Sequence, residues 1–146
     1  MDCVIREARR SDLRDIYLIE LKSFPYPYSL EAFTGLLILF PKLFLVAVCE
    51  GRIAGYIMGS ITDSGEGHIM SIAVHPQYRG GGVGTALLEA IEEVYRSLGV
   101  KRVFLEVSTT NREAMGLYKK FNYRLQGTKS NYYPDGSDAY VMAKEL

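Results

Sequence analysis

Four of the five residues from Gly80 to Gly84 are glycine, and they lie between a β-type run ending at Val74 and an apolar-periodic segment beginning at Val83. That arrangement suits an anion. Side chains are absent where the ligand must approach, backbone N–H groups converge, and the helix that follows adds about half a positive charge at its start. Each glycine costs roughly 0.5–1 kcal/mol when held in regular structure. Their concentration at a helix entrance therefore favours phosphate binding over a flexible connector. Two familiar phosphate loops do not fit. A P-loop closes on Gly-Lys-Ser/Thr, whereas Gly84 is followed by Thr85-Ala86. A dinucleotide fingerprint would need its last glycine at Leu87 or at Thr85.

Other residues could move protons. Glu106 stands between Leu105 and Val107 in a strand pattern that more readily takes Val or Thr. It is either an ion-pair partner on the sheet surface or a positioned base. His68 opens another strand run, and an imidazole pKa near 6.5 suits proton relay at neutral pH; a hydrogen-bonded strand-end histidine is the plainer alternative. His75, ahead of Pro76, reads as structural. Tyr118 shares helical spacing with Ala114 and Phe121, as a core aromatic would, but its hydroxyl could also serve as an acid. Asn111 can cap the same helix or bond a ligand.

The elements that must position these groups follow from periodicity. Val4–Ala8 reads as a strand, and Ser11 as the cap of a helix with Asp12 in its first turn. That helix carries Leu13, Ile16, Tyr17, Leu21 and Phe24 on one face, stopped by Pro25 and Pro27. Ser29 caps a second helix with Leu30, Phe33, Leu37 and Phe40, ended by Pro41. Leu43–Cys49 and Arg52–Ile61 are strands joined by the Glu50-Gly51 turn, and His68–Val74 is a third. Val83, Leu87, Leu88, Ile91, Val94, Tyr95 and Leu98 form a helical stripe with Gly99 just past it. Val100–Val107 is a strand, Asn111 to Lys120 a short helix, and Asn122 a left-handed terminator. Strands about Tyr123–Tyr132 and Ser137–Lys144 flank the turn Tyr133-Pro134-Asp135-Gly136. The order β-α-α-β-β-β-α-β-α-β-β makes a mixed sheet with helices on its faces, one domain over residues 1–146.

Composition narrows the partners. Lys+Arg 17 balance Asp+Glu 17, so the global field that drives nucleic-acid binding is missing and no direct nucleic-acid contact is expected. Cys3 and Cys49 have no CxxC or histidine pair nearby, which excludes a zinc ligand set and suggests two reduced thiols. No apolar h-region opens the chain, and Pro41-Lys42 interrupts the longest apolar stretch. No secretory signal or membrane span is expected, and the cytoplasm is the expected compartment.

What stands in the loop is Arg79-x-x-Gly82-x-Gly84. It resembles the acyl-CoA loop of the GNAT N-acetyltransferase superfamily. Leu105-Glu106-Val107-Ser108, Asn111, Ala114, Leu117, Tyr118 and Phe121-Asn122-Tyr123 are similar to the second half of that pattern, so the resemblance spans almost the whole chain. Asn122 stands where the family usually has glycine. Ser23-Phe24-Pro25, and Asn131-Tyr132-Tyr133-Pro134 with Asp138-Ala139, resemble the ribosomal-protein-alanine (RimI-like) and Ard1-like protein N-terminal acetyltransferases. Those relatives often carry Trp near Tyr28, and this chain has no Trp.

The resemblance implies an α/β (α+β) GNAT fold, a mixed and mostly antiparallel seven-stranded sheet with four helices and CoA in the splay between two central parallel strands. It implies acetyl-CoA as cosubstrate and no metal. Ile72, Ala73 and Val74 would offer strand backbone to the pantetheine. Arg79, Gly80, Gly81, Gly82, Val83, Gly84 and Thr85 would hold the pyrophosphate. Asn111 would bond the pantetheine arm, and Tyr118 would protonate the departing sulfur. Glu106 would be the base, with His68 the other candidate, the two sharing an ordered water; related Ard1-like enzymes carry tyrosine at the position of His68. Phe24, Pro25, Tyr26, Tyr132 and Tyr133 would surround a peptide N-terminus. The implied partners are protein N-termini, ribosomal proteins among them, with monomer, homodimer and auxiliary subunit left open.

Elementary energetics agrees with that acceptor. An α-amine with pKa about 7.7–8.0 costs only about 1 kcal/mol to deprotonate at pH 7, whereas a lysine near 10.4 costs roughly 4.6 kcal/mol. Two alternatives stay open at this level, a lysine or small-amine acetyltransferase and a non-catalytic acyl-CoA-binding module. The latter could dispense with Glu106, Asn111 and Tyr118, and all three are present.

Overall fold

β-Branched and aromatic runs separated by glycine turns build the sheet. In the computed structural model, which describes residues 2–146, these are β1 (Cys3–Glu7), β2 (Phe44–Cys49), β3 (Arg52–Ile61), β4 (Gly67–Val74), β5 (Arg102–Ser108), β6 (Arg124–Lys129) and β7 (Ala139–Glu145). They form one seven-stranded sheet in the order β1-β2-β3-β4-β5-β7-β6. All neighbours are antiparallel except β4 and β5. That parallel pair is joined only at Gly67↔Val103, His68↔Phe104 and Ile69↔Leu105, after which the strands part. Beside the split, Ser71 of β4 pairs with Met58 and Ile69 with Gly59, so Met70 has no partner in β3. Such a bulge re-aims the side chains beyond it.

Four α-helices cover the faces: α1 (Leu13–Ser23), α2 (Leu30–Leu39), α3 (Val83–Ser97) and α4 (Arg112–Lys120). α3 packs its stripe of Leu87, Leu88, Ile91 and Tyr95 into a core with Leu45, Ile57, Ile69, Val103 and Leu105. A Cβ on Gly67 would overlap the Tyr95 ring, so glycine there sets how closely helix and sheet approach. On the opposite face α1 and α2 bury Ile16, Ile19, Phe33 and Leu37 with Phe44, Val46 and Tyr56.

Three expectations are corrected. Ser11 does not cap α1; it lies in a single 3-10 turn (Arg10–Asp12) and Asp12 is the capping residue. Asp12 accepts from the Arg9 backbone N–H at 2.8 Å and from Arg6 at 2.7 Å. The inward face of α1 is also rotated, with Ile19 and Glu20 buried while Leu21 is exposed. Finally, Cys3 and Cys49 form a disulfide rather than two thiols. They lie 46 residues apart in sequence, but the β1–β2 register sets them directly opposite. Closing a loop of that length constrains the unfolded chain by roughly 4 kcal/mol.

Candidate active site

The glycine loop does what its composition demands. Gly80 and Gly82 have φ of +82° and +83°, the left-handed region that side chains disfavour. Gly82 is the N-cap of α3, and no side chain caps that helix. The first N–H groups of a helix have no partner within it, so those of α3 are left for a ligand. α2 and α4 differ, since Ser29 accepts from Ala32 N–H and Asn111 from Ala114 N–H, each at 3.1 Å.

A cleft of about 530 Å³ opens at this uncapped end, and its walls include Ile72, Ala73 and Val74 of β4, the loop from Arg79 to Thr85 apart from Gly81, and Asn111 and Tyr118. Phe24 lines it too. Ser23, Ala114 and Leu117 of the quoted motifs lie on the same walls, together with Tyr78, Glu113 and Lys120, which were not singled out from sequence. Arg79 Nε donates to the Val74 carbonyl at 3.1 Å, pinning the loop to the strand end. His75 is structural, as expected, its Nδ1 accepting from Gln77 N–H at 3.1 Å. A second cleft, of about 420 Å³, lies by Arg102 and Arg124. There Arg102 is already paired with Glu66 and Glu145, each at 3.1 Å.

Tyr118 differs from the other buried tyrosines of this core. Tyr123 donates to Glu92 at 2.8 Å, and Tyr95 to the Ser60 carbonyl at 3.1 Å. The Tyr118 hydroxyl bonds to no described residue and faces the cleft. Burial, then nearby Tyr133, holds its pKa well above the usual phenol value. It therefore keeps its proton at neutral pH.

Glu106 and His68 meet elsewhere. Leu105 and Val107 point into the α3–α4 core, so Glu106 between them faces the other side of the sheet, and neither Glu106 nor His68 lines the cleft. They are directly bonded, His68 Nε2 to Glu106 Oε1, at 2.7 Å. The His68 ring stacks on Phe104 at 4.4 Å and 9°. Lys129 Nζ approaches Glu106 Oε2 at 3.3 Å. Burial pushes the Glu106 pKa up, but His68 and Lys129 outweigh it and hold the carboxyl below its usual range.

Tyr132 stands near this carboxylate, its ring centroid 5.3 Å from the Lys129 Nζ that pairs with Glu106. Burial raises the pKa of Tyr28, Tyr132 and Tyr133, followed by the charge of Glu20 and then Glu106 at Tyr28 and by that of Glu106 at the other two, with Tyr132 pushed up to about 12. Tyr133 packs edge-on against Tyr132, with ring centroids 4.9 Å apart. Pro25 and Tyr26 are exposed at the rim of the α1–α2 loop. That loop is tied down by Glu20, a residue not singled out from sequence. Its buried carboxylate accepts from Tyr28 N–H at 2.9 Å, from Ser71 Oγ at 2.9 Å and from the Tyr56 hydroxyl.

A strand, an uncapped glycine-entered helix and a split parallel pair together make a cleft whose chemistry suits a phosphate-bearing cosubstrate. The chain belongs to the acetyltransferase (GNAT) family, whose model matches residues 11–123. It is 38% identical over 157 residues to an N-alpha-acetyltransferase of Sulfurisphaera tokodaii, covering 97% of this chain and 92% of that one. A putative ribosomal protein bS18 alanine N-acetyltransferase of Bacillus subtilis is 36% identical over 140 residues, covering 94% and 92%. Among solved structures, Ard1 from Thermoplasma volcanium superimposes with a TM-score of 0.96 at 33% identity, over 100% of this chain and 99% of that one. Among the described residues no helix is long and apolar enough to cross a membrane.

Proposed function

We propose that the protein transfers the acetyl group of acetyl-CoA to the α-amino group of protein N-termini, by direct attack within a ternary complex. The observation that carries the reading is the uncapped, glycine-entered end of α3 opening on a cleft walled by β4, with a carboxylate fixed by His68 on the adjoining strand pair. The cleft fits the cosubstrate: it is walled by β4 and loop backbone, and its free N–H groups suit a pyrophosphate. Acetyl-CoA supplies the activated acyl group as a thioester. Gly80 to Thr85 bind its phosphates, Ile72 to Val74 align it along β4, and Asn111 stands beside it while capping α4.

Glu106, ionised and fixed by His68, receives the incoming ammonium and stabilises the charge that develops on nitrogen during attack. A neutral α-amine is accessible at small cost near pH 7, so the pair need only guide the proton away. Tyr118, held protonated, donates to the sulfur as it departs. Phe24, Pro25, Tyr26, Tyr132 and Tyr133 border the peptide entrance. The relatives point the same way, since they bear the names N-alpha-acetyltransferase and Ard1. Ribosomal proteins are candidate substrates, an auxiliary subunit a candidate partner, and the cytoplasm the proposed compartment.

The test is acetylation of a peptide library with acetyl-CoA and mass-spectrometric assignment of the modified nitrogen. Products on the α-nitrogen are expected. Products confined to lysine side chains would overturn the reading.

A further inference from the structure

The carboxylate proposed to receive the acceptor is not free. Oε1 of Glu106 is held by His68 at 2.7 Å, and Oε2 faces the ammonium of Lys129 at 3.3 Å. The two partners are held very differently. His68 is stacked on Phe104 and its side chain is 21% exposed, so it is part of the frame. Lys129 ends β6, a strand exposed along its whole length, and its own side chain is 51% exposed. Its Nζ also sits over the Tyr132 ring, 5.3 Å from the centroid. Lys129 therefore places a primary ammonium against a buried carboxylate and an aromatic face. A peptide N-terminus reaches this enzyme as the same ion and needs the same two partners.

We propose that Lys129 is an internal placeholder for the acceptor's ammonium. In the free enzyme it occupies the Glu106–Tyr132 subsite and keeps Glu106 ionised and paired. An arriving N-terminus displaces it, and the exposed stem lets it swing aside into water. Lys129 thereby sets acceptor affinity, weakening every incoming ammonium by the same factor until it is displaced. The inference rests on the acceptor site proposed above and adds a residue with no other assigned role.

The experiment compares steady-state kinetics of the wild-type enzyme with Lys129→Met and Lys129→Arg, using one acceptor peptide at low ionic strength. Exposed ion pairs are weak, so removing the competitor should lower the peptide KM about two- to fivefold. Lys129→Arg should keep the parental value, and the KM for acetyl-CoA should not move in either variant. Methylammonium, a minimal ammonium probe, should inhibit competitively against peptide with a lower inhibition constant in Lys129→Met by the same factor. The difference should shrink as added salt screens the pair. A peptide KM unchanged or raised in Lys129→Met, or an Arg variant behaving like the Met variant, overturns the proposal. Lys129→Gln gives a second charge-free stem should the Met variant fold poorly. Mass spectrometry of the same reactions reads the N-terminal assignment separately, because an ε-amine also arrives as an ammonium ion and must displace Lys129 too.

Discussion

The two sides of the gap between β4 and β5 are made of different material. On the α3 side the proposed binding groups are backbone: N–H groups past Gly82 and the strand end from Ile72 to Val74. On the other side they are side chains from scattered elements, with His68 on β4, Glu106 on β5, Lys129 on β6 and Tyr28 and Tyr132 on loops. A backbone site needs small residues in an unbroken local run. A side-chain site needs only that the fold deliver charges to one point, from any place in the chain. The first suits a cosubstrate that never changes. The second can be retuned one residue at a time for different acceptors.

The largest effect should come from filling the backbone side. Replacing Gly82 and Gly84 together by valine forces a β-branched residue into a φ of +83° and sets a side chain against Leu117 and Val74. CoA binding by calorimetry should be abolished while circular dichroism retains the folded signal. Parental binding would show that the loop is not the phosphate site, and the comparison would lose its first half.

Tyr118→Phe comes next. It keeps the ring and its packing and removes a hydroxyl that bonds no described residue, so stability should barely change. Turnover should fall on the order of 10²-fold with CoA affinity near parental, as expected for loss of a general acid. A raised pKa favours donation to a sulfur that has already gained charge over transfer in advance. Unchanged turnover, under conditions where chemistry limits the rate, would make Tyr118 a packing residue only.

This division also explains what could be read without coordinates. Arg52–Ile61 was legible to the residue because the Glu50-Gly51 turn opens it and the polar, glycine-bearing stretch from Thr62 closes it. The glycine loop was legible because φ above zero leaves its mark in composition. Glu20 was not, since a carboxylate on a helix ordinarily reads as surface. Only the fold brings Tyr56, Ser71 and the Tyr28 N–H to it and turns Leu21 outward. Lys129 was hidden for the same reason, and the Cys3–Cys49 pair depended on a register between distant strands. Asn111 could have been cap or ligand contact; it caps α4 and lines the cleft as well.

The smallest effects, about tenfold, should come from the side-chain half, and here pH discriminates. Glu106 is lowered below 4.5, so it is ionised throughout the neutral range and cannot produce a rise in rate near pH 8. That rise in kcat/KM belongs to the acceptor's free amine, at about 7.7–8.0, and should keep its midpoint in Glu106→Gln. The profile of kcat reports the bound complex. There the carboxylate favours the ammonium form and holds the amine's pKa up, so Glu106→Gln should move that limb toward lower pH while reducing the plateau. His68→Ala should have a smaller effect in the same direction. The double variant should lose less than the two single losses combined, because His68 acts by fixing Glu106. The stability sign is also set: a carboxyl with a lowered folded pKa stabilises the protein above its unfolded value, and the contribution is lost as pH falls through the folded one. Acid unfolding of Glu106→Gln should therefore depend less steeply on pH below about 4.5 than that of the parent. Additive kinetic losses with an unmoved kcat limb would leave Glu106 as a structural anion and make the gap one-sided.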